Sequence, residues 1–496
     1  MSNERRIYTL EGLTPEVRAV CFAKCSRSPE PFDEIAKELT EEKSSEFHEK
    51  WVVGYGHSSV AEHAVLSIAI ENVSILATKV IEDSRLASYT EKSTRYQVFD
   101  KNRYLKPAQI MQSDLARVYE EAGDFLFETY EKLSAPMAEF IKKREPKSEK
   151  TTDKMYESVV KAKVCDNIRY LLPTATLTNL GMTINARNLD WSITKLLSHP
   201  LEEMQEIGSQ LKFEAAKVTP TLEKFAAPNP YLMETTKSLK ELSGRVFENE
   251  KPTDAAPDSL RHPALDAGSR ISAVASSGMT GSVKIVDYDR DAENKLVAAL
   301  LYKSSNLPYG QIKKKVDSMP ASIKSSIIDE SLRRRSPFDR PLRELEHIFY
   351  SFDILMDYGA FRDVQRHRMA TQTNQAVTTA HGYSTPQDII DAGLEPQYKL
   401  AMERAANAYE KIVKIFPDEA QYIVPLAFRK RTLFTWNLRE LHHFISLRSG
   451  KKGHISYRRI AQQCFKELEK IHPLLAKYIR VDMSDETVST VGVKIN

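Results

Sequence analysis

Arg366, His367 and Arg368 stand side by side in "RHRMATQTNQ", two permanent cations around a ring that titrates near neutral pH. A small residue and a run of amides and hydroxyls follow, and the mostly apolar "IFYSFDILMDYGAF" precedes them. On a helix "GAFRDVQRHRMAT", Phe361, Val364 and Arg368 fall at i, i+3 and i+7, so Arg368 shares the apolar stripe. A guanidinium placed there is costly unless an anion or a strong acceptor meets it. Arg362 and Arg366 lie one turn apart on another face, with Asp363 in helical reach of Arg366 or His367. The competing reading is a solvated face with a local ion pair.

A second helix is expected over "RTLFTWNLRELHHFISLR", with Asn437, Leu441, Phe444 and Arg448 along one stripe. Polar ends on an apolar face suggest a walled pocket. Arg431 and Arg448 would suit a phosphate, because a guanidinium fork matches phosphate oxygens; surface charges at helix ends are the alternative. The matching stretch of the first half has Asn179 and Leu196 at those two places. "SYTEKSTRY" offers Glu91, Ser93 and Arg95 within five residues. Its hydroxyl and guanidinium can share one phosphate, leaving the carboxylate for an N–H donor. No metal is expected. His63 and His347 each follow a Glu without HExxH spacing, and the adjacent rings of His442 and His443 point about 100° apart on a helix. The sequence has no Walker loop, no GxGxxG and no recognisable Ser or Cys nucleophile motif.

These stretches need elements to position them, and the chain carries its plan twice. Its 496 residues exceed one ordinary core. Segment 228–282, with "APNPY", "ENEKPTDAAPDS" and "ASSGMTGS", reads as a linker or inserted loop region, and 142–153 reads as a surface excursion between helices. Each half has a helical stretch ending in a small polar patch, "AVCFAKCSRSPEPF" and "LVAALLYKSSNLPY". A Glu-His pair then leads into a strand-like run, at Glu62-His63 and Glu346-His347. Late in each half a proline precedes an Asn-x-Arg by the same spacing, Pro173 with Asn185 and Arg187, Pro425 with Asn437 and Arg439. A helix and a histidine follow, His199 and His454. Four matches in one order imply an internal duplication.

Composition narrows the classes. A net charge of +3 argues against a generic nucleic-acid coat. No apolar run approaches the roughly 20 residues of a membrane helix, and "MSNERRIYTLEG" lacks a signal core, so secretion is not expected. Cys21, Cys25, Cys165 and Cys464 form no CxxC pair and are expected as reduced cytoplasmic thiols.

"RHRMATQTNQ" resembles the signature of the flavin-dependent thymidylate synthases, the ThyX family, an RHR, a small residue and a Ser-x-Arg-Tyr ending. That ending is better kept in the first half, as "RLASYTEKSTRY", where the RHR itself reads Asp83-Ser84-Arg85. The resemblance implies an α/β (α+β) fold of two tandem ThyX-like repeats, each a sheet flanked by helices, at 1–227 and 283–496 around 228–282. It implies FAD as cofactor, NADPH and methylenetetrahydrofolate as co-substrates, and methylation of dUMP to dTMP. A cytoplasmic homodimer mimicking the family tetramer follows, with no nucleic-acid or membrane partner. Carried over residue by residue, Arg366, His367 and Arg368 would act in catalysis and hold the flavin. His347, Asn437, Arg439 and His454 would complete its cradle. Glu91, Ser93 and Arg95 would hold dUMP from one side, and Arg431 and Arg448 would grip its phosphate from the other. The second half departs from the pattern, with Ala376 near the signature serine's place. A catalytically degenerate flavin- or nucleotide-binding scaffold, a related pyrimidine nucleotide methyl- or hydroxymethyltransferase, and a basic-pocket RNA-binding protein stand as alternatives.

Overall fold

A computed structural model describes residues 5–54, 58–222, 226–248, 250, 275–277 and 281–485. Contacts divide the chain into two compact units, Met1–Lys92 with Leu177–Thr253, and Ser93–Thr176 with Asp254–Asn496. Ser93–Thr176, from the first half of the sequence, therefore groups with the second half rather than with its own.

The first unit holds a three-stranded antiparallel sheet with Leu177–Asn185 between Val65–Ser74 and Ala87–Glu91. The second holds a four-stranded sheet in the order Ser282–Tyr288, Phe349–Asp357, Arg429–Asn437, Ala370–Asn374. Its last three strands repeat the first unit's order. Each central strand alternates with period two. Thr178, Leu180, Met182 and Ile184 are buried in one, and Lys430, Thr432, Phe434 and Trp436 in the other. The helix after each first strand is capped alike, by the Ser74 hydroxyl on the Ala77 N–H at 2.9 Å and by the Asp357 carboxylate on the Ala360 N–H at 2.7 Å. The helix after each central strand is capped by an asparagine, Asn185 for Ala186–Leu197 and Asn437 for Leu438–Arg448. The expected mixed fold of two repeats, each a sheet flanked by helices, is thus borne out.

Two pairs of repeated motifs meet one another. The glutamate of each Glu-His pair binds the arginine of each Asn-x-Arg, Glu62 with Arg187 and Glu346 with Arg439, the latter at 2.5 Å. Within the second unit, the segments around Pro173 and Pro425 exchange hydrogen bonds reciprocally. Thr174 N–H donates to the Val424 carbonyl and Leu426 N–H to that of Leu172, at 3.0 and 2.9 Å. Ala175 N–H donates to Tyr422 and Ala427 N–H to Tyr170, at 2.9 and 3.1 Å. This is an isologous contact of the kind symmetric dimers make, closed inside one chain.

Three sequence expectations are corrected. The helix expected over "GAFRDVQRHRMAT" runs only Tyr358–Val364, and Ala370–Asn374 is a strand. Arg368 therefore leaves the apolar stripe; edge pairing with Arg429–Asn437 overrides the helical spacing. The helix expected from Arg431 begins at Leu438, because Thr432, Phe434 and Trp436 alternate into the core as a strand. Part of 228–282 is a helix, Pro230–Val246, which buries none of its side chains; residues 249, 251–274 and 278–280 lie outside the described residues. Among the described residues no helix is long and apolar enough to cross a membrane.

Lys430 stands on the core side of the central strand, where Thr178 stands in the first unit. Its ammonium meets ring faces, 4.5 Å from the Phe361 centroid and 5.6 Å from that of Tyr358. Burial pushes this amine down to about 8. The folded chain then releases its proton before the unfolded chain does. The destabilisation is complete below about pH 8 and fades as pH climbs toward the ordinary lysine value of 10.5. Lys430→Met is expected to raise unfolding free energy by on the order of 2–3 kcal/mol at pH 7 in urea melts, and the gain should shrink by pH 10.

Candidate functional site

His367 lies in the turn between the Tyr358–Val364 helix and the Ala370–Asn374 strand. Its ring is buried edge-on against Phe444, centroids 4.9 Å apart. Arg448 Nε donates to His367 Nε2 at 2.9 Å, and His367 Nδ1 sits 3.0 Å from Glu440 Oε1. Burial, and then the Arg448 charge, hold the imidazole well below its usual range, so it is neutral. An arginine only donates, so Nε2 is the acceptor and Nδ1 carries the proton toward Glu440. Burial raises the Glu440 carboxyl to about 7.

Arg448 is held at two further points. Its Nη1 donates to Asp363 Oδ1 at 3.3 Å, and its guanidinium carbon lies 5.3 Å from the Tyr457 ring centroid. The Tyr457 hydroxyl in turn accepts from Arg95 Nη1 at 3.4 Å. Arg95 grips Asp166 with a fork, Nε to Oδ1 at 2.6 Å and Nη2 to Oδ2 at 3.0 Å, and Ser93 Oγ accepts the Arg95 N–H at 3.1 Å. Against its burial, that fork holds Asp166 below the ordinary carboxylate range. Thus Tyr457 links Ser93 and Arg95, from the first half of the sequence, to Arg448 and His367, from the second, by a hydrogen bond on one side and a ring contact on the other. His454 closes its edge, capping the Ile455–Ile471 helix with Nε2 3.3 Å from the Asp166 carbonyl. Burial, then Arg169, pushes that ring down to about 3.

Arg169, Asp166, Glu440 and Tyr457 are the members that the motifs did not reveal, and Asp363, expected beside Arg366 or His367, is bound to Arg448. Arg169 is 2% exposed, and its Nε and Nη2 have no acceptor among the described residues. Its charge is felt at Asp166, Asp363 and His454. A signal existed: Arg169 precedes Pro173 by four residues, where Gln421 precedes Pro425. Arg95, Arg169 and Arg448 therefore lie among three carboxylates, Asp166, Asp363 and the buried Asp357, which also feels the Arg169 charge. A buried guanidinium cannot shed its proton, and these carboxylates outweigh its burial, holding the Arg169 pKa above its ordinary value.

The model of the family described as "Thymidylate synthase complementing protein", Thy1, matches residues 10–221 and again 284–474. The chain belongs to the Thy1 family. A UPF0159 protein of Chlamydia pneumoniae is 34% identical over 97% of this chain and 92% of its own length. A flavin-dependent thymidylate synthase of Clostridium tetani is 28% identical over 43% of this chain and 83% of its own. The solved ThyX of Helicobacter pylori, complexed with FAD and dUMP, covers 40% of this chain and 99% of its own at 17% identity, with a TM-score of 0.31.

The other Thy1 signature positions are scattered. Arg366 is exposed, Arg368 half-buried, and His347 exposed at the end of the Arg343–His347 turn. Asn437 caps its helix through the Glu440 N–H at 2.8 Å, and Arg439 also donates to the Pro341 carbonyl at 3.0 Å. Arg431 is bound to Asp353 at 2.8 Å. Within the chain it does not join Arg448, because Lys430 and Trp436 face the helices at Phe361 and Phe444 and Arg431 points to the opposite side of the sheet. Glu91 falls in the first unit, where its carboxylate is buried against Lys79 at 2.9 Å and Thr78 at 3.1 Å. His367, Glu440 and His443 have ligand atoms within 4.8 Å of one another. The Nδ1 proton that Arg448 imposes on His367 suits a shared hydrogen bond there rather than a metal ion.

In the first unit the corresponding positions read Val80, Ser84, Asn188 and Leu196, in place of Asp363, His367, Glu440 and Arg448. Ser84 there bonds Ser192 at 2.6 Å. Arg169→Met is expected to lower the melting temperature of the ligand-free protein by roughly 2–4 °C, since Asp166, Asp357 and Asp363 lose a buried counter-charge. Millimolar inorganic phosphate should raise the melting temperature of the wild type and leave that of the variant unmoved.

Proposed function

We propose that this Thy1 protein is a flavin-dependent thymidylate synthase-like enzyme, methylating dUMP to dTMP with methylenetetrahydrofolate and FAD. The observation that carries the reading is the convergence of Arg95 and Arg448 on Tyr457, two mostly buried guanidinium groups whose forks suit a nucleotide phosphate dianion. Ser93 adds a hydroxyl beside Arg95. On binding, the phosphate takes a share of the donors now held by Asp166 and Asp363. Tyr457 keeps the Arg95 and Arg448 side chains at fixed distances from each other. FAD, when bound, supplies the hydride that reduces the transferred one-carbon unit to a methyl group. Arg366 and Arg368, on either side of the buried His367, are cationic donors suited to its pyrophosphate, and NADPH would recharge it. His367, neutral and immobilised, acts in positioning and not as a proton donor. The chain would work as a homodimer of tandem repeats.

A second reading, a nucleotide-binding scaffold without turnover, draws on the pairing of Arg431 with Asp353 and of Arg439 with Glu346. The two part on tritium release from 5-tritiated dUMP with methylenetetrahydrofolate, NADPH and FAD. Release above a protein-free control is expected for the enzyme, and dUMP binding without release for the scaffold. A protein that gains no flavin absorbance with FAD and binds no dUMP would sink both. Arg448→Ala is expected to raise the dUMP dissociation constant about 10- to 100-fold, the size of a lost charge-assisted contact, in isothermal titration.

A further inference from the structure

Glu440 touches neither Arg448 nor the space where an anion would lie, yet the hydrogen bonds run from it to that arginine in one direction. His367 Nδ1–H donates to Glu440 Oε1 at 3.0 Å, and His367 Nε2 accepts from Arg448 Nε at 2.9 Å. We propose that Glu440 is a positioning residue for the nucleotide phosphate, fixing the tautomer and angle of His367 so that the ring's other nitrogen holds Arg448 side-on. The inference rests on the phosphate-site reading above and names a specificity-determining residue of that site.

Three features support it. The first is directional. A neutral imidazole has one donor and one acceptor nitrogen, and only the tautomer with the proton on Nδ1 offers Arg448 a lone pair. A carboxylate at Nδ1 selects that tautomer, as it does for histidines that hold metals or nucleophiles. Without Glu440 the opposite tautomer becomes available and sets an N–H against the Arg448 N–H. The second is geometric. With Nε bound to His367 and Nη1 to Asp363, the Nη2 edge of Arg448 is left for an incoming oxygen, while Tyr457 lies along its face. The third is the internal copy. The first unit replaces the whole set, with Ser84 for His367, Asn188 for Glu440, Leu196 for Arg448 and Val80 for Asp363. Glu440 is absent where the arginine is absent, although the Asn437 cap and the helix it heads are both retained at Asn185. A carboxylate needed only for the fold would have no reason to follow Arg448.

Charged groups near Glu440 are few. Arg439 and His443 stand on its own helix, and Arg439 is paired with Glu346 of the preceding turn. None of these meets Arg448.

The test is a double-mutant cycle on dUMP binding by isothermal titration, using the full chain. Glu440→Ala should weaken dUMP about 5- to 20-fold when Arg448 is present and less than twofold in an Arg448→Ala background. Glu440→Gln, whose amide oxygen still accepts from Nδ1, should recover binding to within about threefold of wild type. Deoxyuridine, which lacks the phosphate, should bind the wild type and Glu440→Ala equally. Equal losses in both backgrounds, or an equal loss for deoxyuridine, would overturn the proposal. A wild type that binds no dUMP would refute the phosphate reading instead. In that case nitrogen NMR of histidine-labelled protein still decides the positioning claim. Wild-type His367 should show a protonated Nδ1 and a bare Nε2, and Glu440→Ala a mixture. An unchanged tautomer in the variant would defeat the claim.

Discussion

A guanidinium held away from water has to be answered by something, because it cannot discharge itself. Around Arg95, Arg169 and Arg448 the described residues supply three carboxylates, two aromatic faces and a neutral imidazole. Much of the second unit follows from this constraint. Asp166 grips Arg95, Asp363 holds Arg448, and Asp357 feels the Arg169 charge. Tyr457 separates two cations that would otherwise repel. The His454 cap is neutral at every physiological pH, so it adds no positive charge beside these arginines.

The duplicated architecture shows what happens when that constraint is lifted. In the first unit, the positions of Asp363, His367, Glu440 and Arg448 are all occupied by uncharged residues, and two serines bond across the gap. Partial loss would leave one buried charge without its partner, at a cost of roughly 3–5 kcal/mol. Loss of the entire set leaves an ordinary small polar contact. The scaffold around it survives intact, with the same strand order, the same caps and the same glutamate–arginine pair. The charged set therefore does not hold up the fold.

The elements that could be read from the sequence were those with local causes. The Glu-His pairs head strands and each Asn-x-Arg heads a helix, in both halves, because caps and alternation are written in neighbouring residues. Arg368 and Arg431 were misplaced for one reason. Short stretches with mixed spacing satisfy a helical and an alternating pattern at once, and only pairing across the sheet decides between them. Arg448 and Arg95 are legible through their motifs, but Asp166 is not, and Asp363 reads as a neighbour of Arg366 or His367 rather than as the partner of Arg448. Each looks like one more acidic residue on a charged helix, and their meaning comes from partners 71 and 85 positions away. Arg169 is not legible from the sequence alone, because a single arginine in "DNIRYLLP" has no pattern of its own.

The reciprocal exchange at Pro173 and Pro425 has an evolutionary corollary. In an assembly of identical subunits, each substitution is copied onto both sides of such a contact, and a change useful on one side is kept only if the other side tolerates it. Here the two sides are separate stretches of one gene. Arg169 and Gln421 occupy equivalent places beside that contact and differ in charge. Fusion has freed each partner to drift on its own, so the molecule gains the asymmetry of a heteromer while keeping the stoichiometry of a single polypeptide.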